Sequence, residues 1–443
     1  MKQTAIDIVR TLRQSGHEAY LVGGCVRDIL LGREPADYDV ATAATPDEVM
    51  QLFPRTYAVG ARFGVVLVPE KNGDGTTEVA TFRSDGLYSD GRHPDEVRFT
   101  KSAEEDVRRR DFTINGLLLD PLKEDEAVLD FVGGRADIKA GVIRTIGDPA
   151  HRFQEDKLRM LRAVRFAARF DYHIVPETLA SIRKLAPHVT QVSQERVRDE
   201  LTKMLTEGKA RRAFELLDES RLLPEVLPEV AHYKGVEQPP QYHPEGDVWT
   251  HTLMMLEGLP AGASPTLAWS VLLHDVGKPP TFRRSPDRIR FDNHADIGAK
   301  MAESIGRRLR MSNDEIEQIV SIVAQHMKFP ELPKMRESTL KRFLRQPGFA
   351  EHMEMHRLDC LGSHRDLGLY EFAQRKLATI PEEQIRPTPL VTGDDLIAAG
   401  YPPGPRFKKM LAEVEDAQLE GAIHSQEEAL EFLRQRFGGP GCP

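Results

Sequence analysis

Two aspartates, Asp37 and Asp39, follow a glycine-rich turn and are spaced to bind divalent cations. In a strand, residues two apart point to the same face, so these carboxylates would converge while Tyr38 points away. Two like charges so close are unfavourable unless a cation lies between them, and oxygen ligands of this kind favour Mg²⁺. Paired Mg²⁺ ions catalyse phosphoryl and nucleotidyl transfer. Glu78, in a second predicted strand, is the candidate third carboxylate; an exposed strand glutamate is an equally good interpretation.

The turn before these aspartates is Gly23-Gly24-Cys25-Val26-Arg27-Asp28. Glycines such as Gly24 between a strand and a helix let the backbone approach a phosphate, and free N–H groups at the helix start could bind it. Arg27 adds a cationic donor to the same group. A tight turn without a ligand is the commoner interpretation of Gly-Gly alone, but the neighbouring aspartates favour a nucleotide site.

A basic run, Arg108–Asn115, carries a second set of candidates. Asp111 and Asn115 are four residues apart and share a face if the segment is helical, with Arg110 alongside. That face could hold a sugar hydroxyl through Asp111 and phosphates through the other two. A solvated surface run is the ordinary interpretation of consecutive arginines.

Apolar residues at helical spacing predict one helix over Phe153–Phe170. Four arginines fall within an arc of roughly 120° on it: Arg159, Arg162, Arg165 and Arg169. We therefore predict one packed face and one basic face. Asp156 and Arg159 either form an ordinary helical ion pair or present acceptors and donors to the Watson–Crick edge of a base.

Nine of the 15 histidines lie between His232 and His364, which suggests a metal site in this segment. An ordered set falls on successive predicted helices: His251, His274, Asp275, His294, His326 and Asp359. One ligand per helix is a common way for a bundle to build a metal centre. Mixed imidazole and carboxylate ligands suit Mn²⁺, Fe²⁺, Ni²⁺ or Co²⁺ better than Ca²⁺. A single histidine is ordinarily a surface or core residue, but the complete set favours a metal.

Up to about residue 150 the predicted elements alternate between helix and strand. The strands are predicted at Ala19–Val22, Tyr38–Ala41, Gly64–Pro69 and Thr76–Phe82, with Asn-Gly-Asp-Gly at 72–75 predicting a hairpin between the last two. Helices are predicted at Ala5–Gln14, Val26–Leu31 and Pro46–Phe53, and beyond residue 151 only helices, such as Gln194–Thr206. Proline and glycine clusters then divide the chain into four domains: 1–150, 151–235, 236–380 and 381–443.

Composition indicates a folded, multi-domain protein. The 443 residues are 40% hydrophobic and 29% charged, which excludes a disordered tail or a collagen-like chain. No apolar run reaches the roughly 18 residues of a transmembrane helix and no signal-peptide pattern follows Met1, so we expect a soluble, cytoplasmic protein. Three scattered cysteines exclude a disulfide framework. The net charge of −9 gives no sign of a polyanionic partner, so any nucleic-acid surface must be local.

The motifs together resemble those of the class II tRNA nucleotidyltransferases, which include CCA-adding enzymes and bacterial poly(A) polymerases. The resemblance covers about the first 230 residues and rests on the order and spacing of several motifs: 23–28 with Asp37 and Asp39, 109–115, 143–149, Glu155-Asp156 with Arg159, and 193–197. It implies an α/β head of the polymerase-β nucleotidyltransferase type, followed by an all-α neck and body that hold the tRNA acceptor end. Gly116 departs from the family, which usually has alanine there.

The resemblance also implies roles for these residues. Asp37 and Asp39 would bind the catalytic Mg²⁺ ions, and the motif around Asp111, with Arg162, would hold the nucleotide. Asp156 and Arg159 would select CTP or ATP, oriented by Glu155, and the tRNA 3′-hydroxyl would attack the α-phosphate. The segment 83–98 matches a flexible loop that CC-adding members shorten, which leaves full CCA addition, A-only addition and poly(A) polymerase open.

The segment Leu273-His274-Asp275-Val276-Gly277-Lys278 resembles the core signature of the HD phosphohydrolases. In that family the His-Asp pair bridges metals that activate water, and Lys278 would contact a phosphate. This implies an all-α HD domain that either trims 2′,3′-cyclic phosphate or phosphate ends or is a metal-holding remnant. A further alternative is a nucleotide phosphohydrolase whose head senses RNA. The tail resembles a tRNA-contacting segment, although acidic residues at 415–420 would repel phosphate.

Overall fold

The computed structural model describes residues 2–60, 64–70, 75–85, 97–123, 127–286 and 288–439. The chain divides into two compact units. The N-terminal unit comprises Met1–His232 with Pro260–Gly262, and the C-terminal unit comprises Tyr233–Leu259 with Ala263–Pro443. Within these described ranges, no helix is long and apolar enough to cross a membrane. The finer division into four domains stays a prediction.

The N-terminal unit begins with a mixed α/β region. Its strands are β1 (Ala19–Val22), β2 (Asp39–Thr42), β3 (Tyr57–Gly60), β4 (Val65–Pro69), β5 (Thr76–Thr81), β6 (Arg83–Asp85), β7 (Val97–Phe99), β8 (Leu117–Asp120), β9 (Ala127–Asp130), β10 (Val142–Ile143) and β11 (His173–Ile174). Its first helices are α1 (Lys2–Gln14), α2 (Gly24–Leu30), α3 (Pro46–Leu52), α4 (Ala103–Arg108) and α5 (Gly134–Ala140). The strands and helices predicted up to Thr81 are confirmed with shifts of one or two residues at most of their ends.

A sheet of seven described strands, in the order β3-β4-β5-β2-β1-β8-β9, forms the base of this region. β4 and β5 pair antiparallel, as the predicted hairpin requires, and positions 72–74 of its predicted turn lie outside the described residues. β2 and β5 pair in parallel. Apolar side chains pack on both faces: Leu21 and Val40 belong to one cluster with α1, and Val22 and Ala41 to another with Phe82. Because both faces are covered, β1 and β2 are almost fully buried and hold the adjoining polar residues rigidly.

Helices follow: α6 (Pro149–Glu155), α7 (Leu158–Phe170), α8 (Pro176–Leu185), α9 (Gln194–Thr206), α10 (Ala210–Glu219), α11 (Leu223–Val226) and α12 (Pro228–Ala231). The single helix predicted over Phe153–Phe170 is wrong, because the chain leaves helical geometry at Asp156 (φ −144°, ψ 107°). The Asp156 carboxylate accepts a hydrogen bond from the Leu158 N–H at 3.0 Å, a capping contact that aspartate often makes at helix starts. The expectation of helix alone beyond residue 151 also fails at β11, which pairs with β10.

The C-terminal unit is mainly helical, and the α/β head with a helical remainder is confirmed. Its helices are α13 (Val248–Glu257), α14 (Pro265–Leu273), α15 (Lys278–Thr281), α16 (His294–Arg308), α17 (Asn313–Gln325), α18 (Glu337–Leu344), α19 (Phe349–Gly362), α20 (Gly368–Thr379), α21 (Glu382–Ile385), α22 (Gly393–Ala398), α23 (Arg406–Leu419) and α24 (Gln426–Phe437). One short hairpin interrupts them, made of β12 (Phe282–Arg284) and β13 (Ile289–Phe291).

Two sequence expectations concern loops and the tail. Of the segment 83–98, the structure describes β6 and the start of β7, which pair antiparallel, while 86–96 lies outside the described residues. The acidic stretch near Glu415 does not face solvent unpaired, because Glu415 and Asp416 form ion pairs with Arg342 on α18. These pairs join α23 to α18, and the predicted tRNA contact of the tail stays a prediction.

Candidate active site and metal centre

A polar cavity of about 540 Å³ opens in the N-terminal unit and collects most of the predicted site residues. Ten of them line it: Gly24, Arg27, Asp37, Asp39, Arg110, Asp111, Asn115, Asp156, Arg159 and Arg162. The motifs are separated by up to 138 positions in sequence, so the fold, and not local chain proximity, brings them together. Among the described residues, Glu78 and Glu155 are the two predicted site residues of this unit that do not line the cavity.

The carboxylates form one group at the end of β2. Asp39 opens this strand, Asp37 precedes it, and Glu78 on β5 comes one residue before the Val40–Val79 pair of the parallel ladder. Burial, together with the nearby charges of Asp37 and Glu78, raises the pKa of Asp39 to about 7. Asp37 and Glu78 add negative charge beside the buried Asp39, and a divalent cation would relieve it, so these oxygen donors fit Mg²⁺.

The basic run folds differently from a continuous helix but still brings its polar groups together. α4 ends at Arg108, and Thr113–Asn115 forms a separate 3₁₀ turn. Asn115 Nδ2 donates to Asp111 Oδ1 at 3.1 Å, and Arg162 Nε donates to Asp111 Oδ2 at 2.9 Å. Burial alone would raise the pKa of Asp111, but Arg162 and Asn115 hold it down to about 2. Asp111 is therefore an ionised, fixed acceptor at the cavity wall.

Arg27 is buried and already partnered. Its guanidinium donates to Asp28 Oδ1 at 2.9 Å and to Asn115 Oδ1 at 2.6 Å, and it lies 4.5 Å from the centre of the Phe170 ring. Gly23 has φ 75°, and a Cβ atom there would approach Arg110 Nη1 to 3.3 Å. The glycine turn thus leaves space for an arginine, and Arg27 braces the neighbouring Asn115 as well as lining the cavity.

The predicted base-reading pair occupies the break between α6 and α7. Asp156 and Arg159 are each held by other groups: Arg196 Nη2 donates to Asp156 Oδ2 at 2.7 Å, and Arg159 binds the carboxylate of Glu155. Arg159 also donates to the carbonyl of Arg109 at 3.2 Å. The ordinary helical ion pair between them is not formed, since Asp156 is outside the helix. Both residues line the cavity.

The arginine face of α7 is largely buried, and its side chains are paired with acids. Arg165 is 5% exposed, and its Nε donates to Glu200 Oε2 on α9 at 2.6 Å. Glu207 lies 3.4 Å from both Arg165 and Arg169. A row of arginines packed inside the unit must be neutralised. Its acidic partners come from separate segments of the chain: Asp111, Glu155, Glu200 and Glu207. The row forms part of the cavity wall, so its positive charge faces a ligand-sized space.

The predicted metal ligands of the C-terminal unit converge from five elements. His251 lies on α13, His294 begins α16 and Asp359 lies on α19, while His274 and His326 directly follow α14 and α17. Two groups each place their ligand atoms within 4.8 Å of one another: His251 with His274 and Asp359, and Asp275 with His294 and His326. The adjacent His274 and Asp275 belong to different groups, so the pair stands between two possible ion positions. The ordered set predicted from sequence is thus one cluster in space.

The imidazoles of this cluster are oriented with one nitrogen inward. The Nδ1 atoms of His274, His294 and His326 lie 2.9, 3.0 and 2.6 Å from backbone carbonyls of Val271, Phe291 and Val323. Donation from Nδ1 leaves each Nε2 with a lone pair. Nε2 of His294 and of His326 are 3.2 Å apart, a contact of two acceptors that a shared proton or a cation would stabilise.

Buried polar atoms without partners test whether a metal fits. In the described part of the chain, Asp275 Oδ1 is buried and forms no hydrogen bond, while Asp275 Oδ2 lies 3.0 Å from Nε2 of the neighbouring His274. Lys278 Nζ lies 2.7 Å from Asp275 Oδ2 and donates to Gln238 Oε1 at 2.5 Å. Such unsatisfied donors and acceptors are costly inside a protein unless a ligand completes them. The residues therefore fit a divalent metal, and Lys278 lines the adjoining cavity of about 330 Å³.

Three residues that contribute to these sites were not found from sequence. Asp106 is 1% exposed and accepts from Arg109 and Arg110 at 2.7 and 3.0 Å; the i, i+3 and i+4 spacing could have indicated it. Glu200 pairs with an arginine 35 positions away, and no local pattern marks it. Glu245, beside His251, directly follows the proline- and glycine-rich segment 235–244, which is interpreted as a domain boundary.

Three family models match successive parts of the chain. Residues 19–144 match the poly A polymerase head domain, and residues 171–234 match a probable RNA and SrmB- binding site of polymerase A. Residues 247–355 match the HD domain. Fold and site together define a nucleotidyltransferase of the poly(A) polymerase head type that also carries an HD domain.

Relatives identify the family within this class. A CCA-adding enzyme of Enterococcus faecalis is 32% identical over 441 residues, covering 96% of this chain and 94% of the relative. The chain belongs to the family of CCA-adding enzymes. A CCA-adding enzyme of Levilactobacillus brevis is 48% identical over 204 residues, so here the chain spans about half the length of the relative it matches. A crystal structure of the Bacillus stearothermophilus CCA-adding enzyme in complex with CTP aligns with a TM-score of 0.74 at 28% identity, covering 98% of both chains.

Gly116 lies at a position where little space remains for a larger side chain. A Cβ atom at this position would lie 2.8 Å from Val132 Cγ2 and 2.9 Å from Ile146 Cδ1. Distances this short are repulsive, so neighbouring side chains fill the space that the family's usual alanine methyl would take.

Proposed function

We propose that this chain adds CCA to the 3′ end of tRNA from CTP and ATP without a template. The observation that carries the proposal is a single cavity that contains both the paired carboxylates Asp37 and Asp39 and the candidate base-reading groups Asp156 and Arg159. The nucleotide whose base is selected would then be the same one that is transferred at the metal-binding carboxylates. We expect the reaction in the cytoplasm.

At the carboxylate end, Asp37 and Asp39 would hold two Mg²⁺ ions, with Glu78 beside Asp39 as the third carboxylate. Bound Mg²⁺ supplies Lewis-acid stabilisation of the α-phosphate and of the attacking 3′-hydroxyl. Arg110, held by Asp106, would bind the triphosphate, and the ionised Asp111 would accept from a sugar hydroxyl. Arg162 donates to Asp111 and fixes the orientation of its carboxylate. The sugar that Asp111 binds would therefore stay in place while the pyrophosphate leaves.

At the base end, the chain would replace a nucleic-acid template. Asp156 offers acceptors and Arg159 offers donors, which match the complementary edges of cytosine and adenine. Glu155 and two backbone carbonyls restrain Arg159, and Arg196 restrains Asp156. Rigid donors and acceptors discriminate between bases because a mismatched edge leaves a polar group unpaired.

Incorporation of labelled CTP and ATP into three tRNA substrates tests the proposal. One lacks the CCA end, one carries the first C and one carries both; we expect two C and one A, one C and one A, and one A, respectively. Addition of A alone would indicate an A-adding enzyme, and a long A tail would indicate a poly(A) polymerase. Either result would contradict CCA addition.

We propose a second activity at the HD centre, namely hydrolysis of 2′,3′-cyclic phosphate or phosphate ends of RNA. The two ligand groups that share the His274-Asp275 pair, with Lys278 at the same place, support it. His251, His274, His294 and His326 with Asp275 and Asp359 would hold Mn²⁺, Ni²⁺, Fe²⁺ or Co²⁺. When bound, such an ion activates water for attack on phosphorus.

Release of product from 2′,3′-cAMP and p-nitrophenyl phosphate, with added Ni²⁺ or Mn²⁺, measures this activity. Asp37→Ala separates the two sites: we expect it to abolish nucleotide incorporation and to spare hydrolysis. If neither substrate is hydrolysed, the HD proposal fails while CCA addition stands. If the wild type hydrolyses these substrates but incorporates no nucleotide, the head would be an RNA sensor and the HD centre the active part. If Asp37→Ala leaves incorporation unchanged, the role proposed for Asp37 fails.

A further inference from the structure

One histidine of the HD centre differs from the others in what holds its outer nitrogen. His274, His294 and His326 face backbone carbonyls through Nδ1. His251 Nδ1 instead lies 2.7 Å from Oε1 of Glu245, and its Nε2 lies 3.1 Å from Asp359 Oδ1. His251 is completely buried and the Glu245 side chain is 4% exposed, so solvent does not screen this contact.

Glu245 is itself held in place by its surroundings. The same Oε1 atom lies 2.9 Å from Nδ1 of His243. Two residues further on, Asp247 caps α13 through the Thr250 N–H and also accepts from the Gly235 N–H at 2.7 Å. These contacts fix the segment before α13, so the carboxylate of Glu245 faces His251 in a fixed position.

We propose that Glu245 is a positioning residue that orients His251 and strengthens metal binding at the HD centre, an inference that rests on the metal-dependent activity proposed above. A carboxylate on the outer nitrogen of a ligating histidine fixes its tautomer and makes its inner nitrogen a stronger donor. A backbone carbonyl fixes the tautomer but adds no charge. His251 is therefore the imidazole of the cluster whose donor strength depends on a side chain that mutation can change.

A competing role for Glu245 is direct ligation. His243, Glu245 and His251 place their ligand atoms within 4.8 Å of one another, so they satisfy the geometry of a third ion position. However, a metal bound through His251 Nδ1 would compete with the Nε2 side, which faces Asp359 and His274. The number of ions bound per chain separates the two roles, since positioning changes affinity and ligation changes stoichiometry.

The test is titration of the full chain with Co²⁺ in excess Mg²⁺, followed by the visible absorption of bound Co²⁺. We compare wild type, Glu245→Gln and Glu245→Ala. Glu245→Gln keeps an acceptor of the same size but removes the charge, and we expect its Kd to rise about tenfold; for Glu245→Ala we expect a rise toward about 100-fold. The number of ions bound should not change. Glu237→Gln is the matched control, because Glu237 is 61% exposed and pairs with Arg284.

The affinity for Co²⁺ and the number of ions bound per chain test the inference. Wild-type affinity in both Glu245 variants would overturn the inference, and so would loss of one bound ion per chain, which would make Glu245 a ligand. Absence of Co²⁺ binding in the wild type would overturn the metal centre itself. Incorporation of CTP and thermal unfolding of the metal-free proteins report whether the variants are folded, and we expect Glu245→Gln to match the wild type in both.

Discussion

Replacement of Arg196 by alanine tests whether Asp156 reads the incoming base. Arg196 Nη2 donates to Asp156 Oδ2 at 2.7 Å, and the two side chains are 24% and 17% exposed. A hydrogen bond to a charged partner contributes about 1.5–3 kcal/mol, and partial exposure places this one near the lower limit. About 1.4 kcal/mol corresponds to a tenfold change in rate. We therefore expect kcat/KM for CTP and ATP to fall about tenfold in Arg196→Ala.

The selectivity of the enzyme is the more specific measurement. Without Arg196, Asp156 keeps its contact with the Leu158 N–H but loses the partner that fixes its second oxygen. Kinetics with tRNA lacking CCA, run with CTP, ATP, UTP and GTP, should show weaker discrimination as well as slower addition. Arg196→Lys restores the charge and should recover part of both.

A matched control is Arg183→Ala on α8, since Arg183 pairs with Glu219 at an exposed position. It should behave as the wild type. Unchanged rate and unchanged selectivity in Arg196→Ala, with intact tRNA binding, would refute the reasoning that Asp156 must be held rigid to choose the base.

Three further predictions concern stability of the N-terminal unit, measured by urea denaturation. Glu200→Gln leaves the buried Arg165 with its weaker contact to Glu207, and we expect a loss of about 3 kcal/mol, the lower limit for breaking a buried pair; a loss below 1 kcal/mol would contradict this. Asp111 has a pKa near 2 in the folded protein, below its unfolded value, so its contribution to the free energy of unfolding is present above about pH 4 and is lost as pH falls toward 2. The difference in stability between wild type and Asp111→Asn should therefore shrink over that range. A constant difference would argue against the ion pair. Gly116→Ala should cost about 1–3 kcal/mol through contacts with Val132, despite alanine being usual in the family, and a neutral result would mean that the neighbouring side chains repack freely.

The sequence by itself determined the locally encoded parts of this protein. Ala19–Val22, the hairpin ending at Thr81 and Gln194–Thr206 follow from periodicity and turn residues, which depend on neighbours in the chain. The Asp37-x-Asp39 pattern and the ordered histidines are recognisable from residue type and order, since ligands on successive elements appear one after another along the chain. For these features, residue type and order are enough to predict the local structure and the candidate ligands.

Only the tertiary structure decided how the groups are partnered. Parallel pairing of β2 with β5 sets Glu78 beside Asp39, and no local pattern specifies which strands become neighbours. Asp156 leaves the helix because its own carboxylate caps α7 and Arg196, 40 positions away, takes its other oxygen. The arginines of α7 form a basic face when that helix is considered alone, because acidic partners such as Asp111 and Glu200 lie elsewhere in the chain. Charges separated in sequence neutralise one another only when packing brings them together, so burial and ion pairing could not be read from either helix alone.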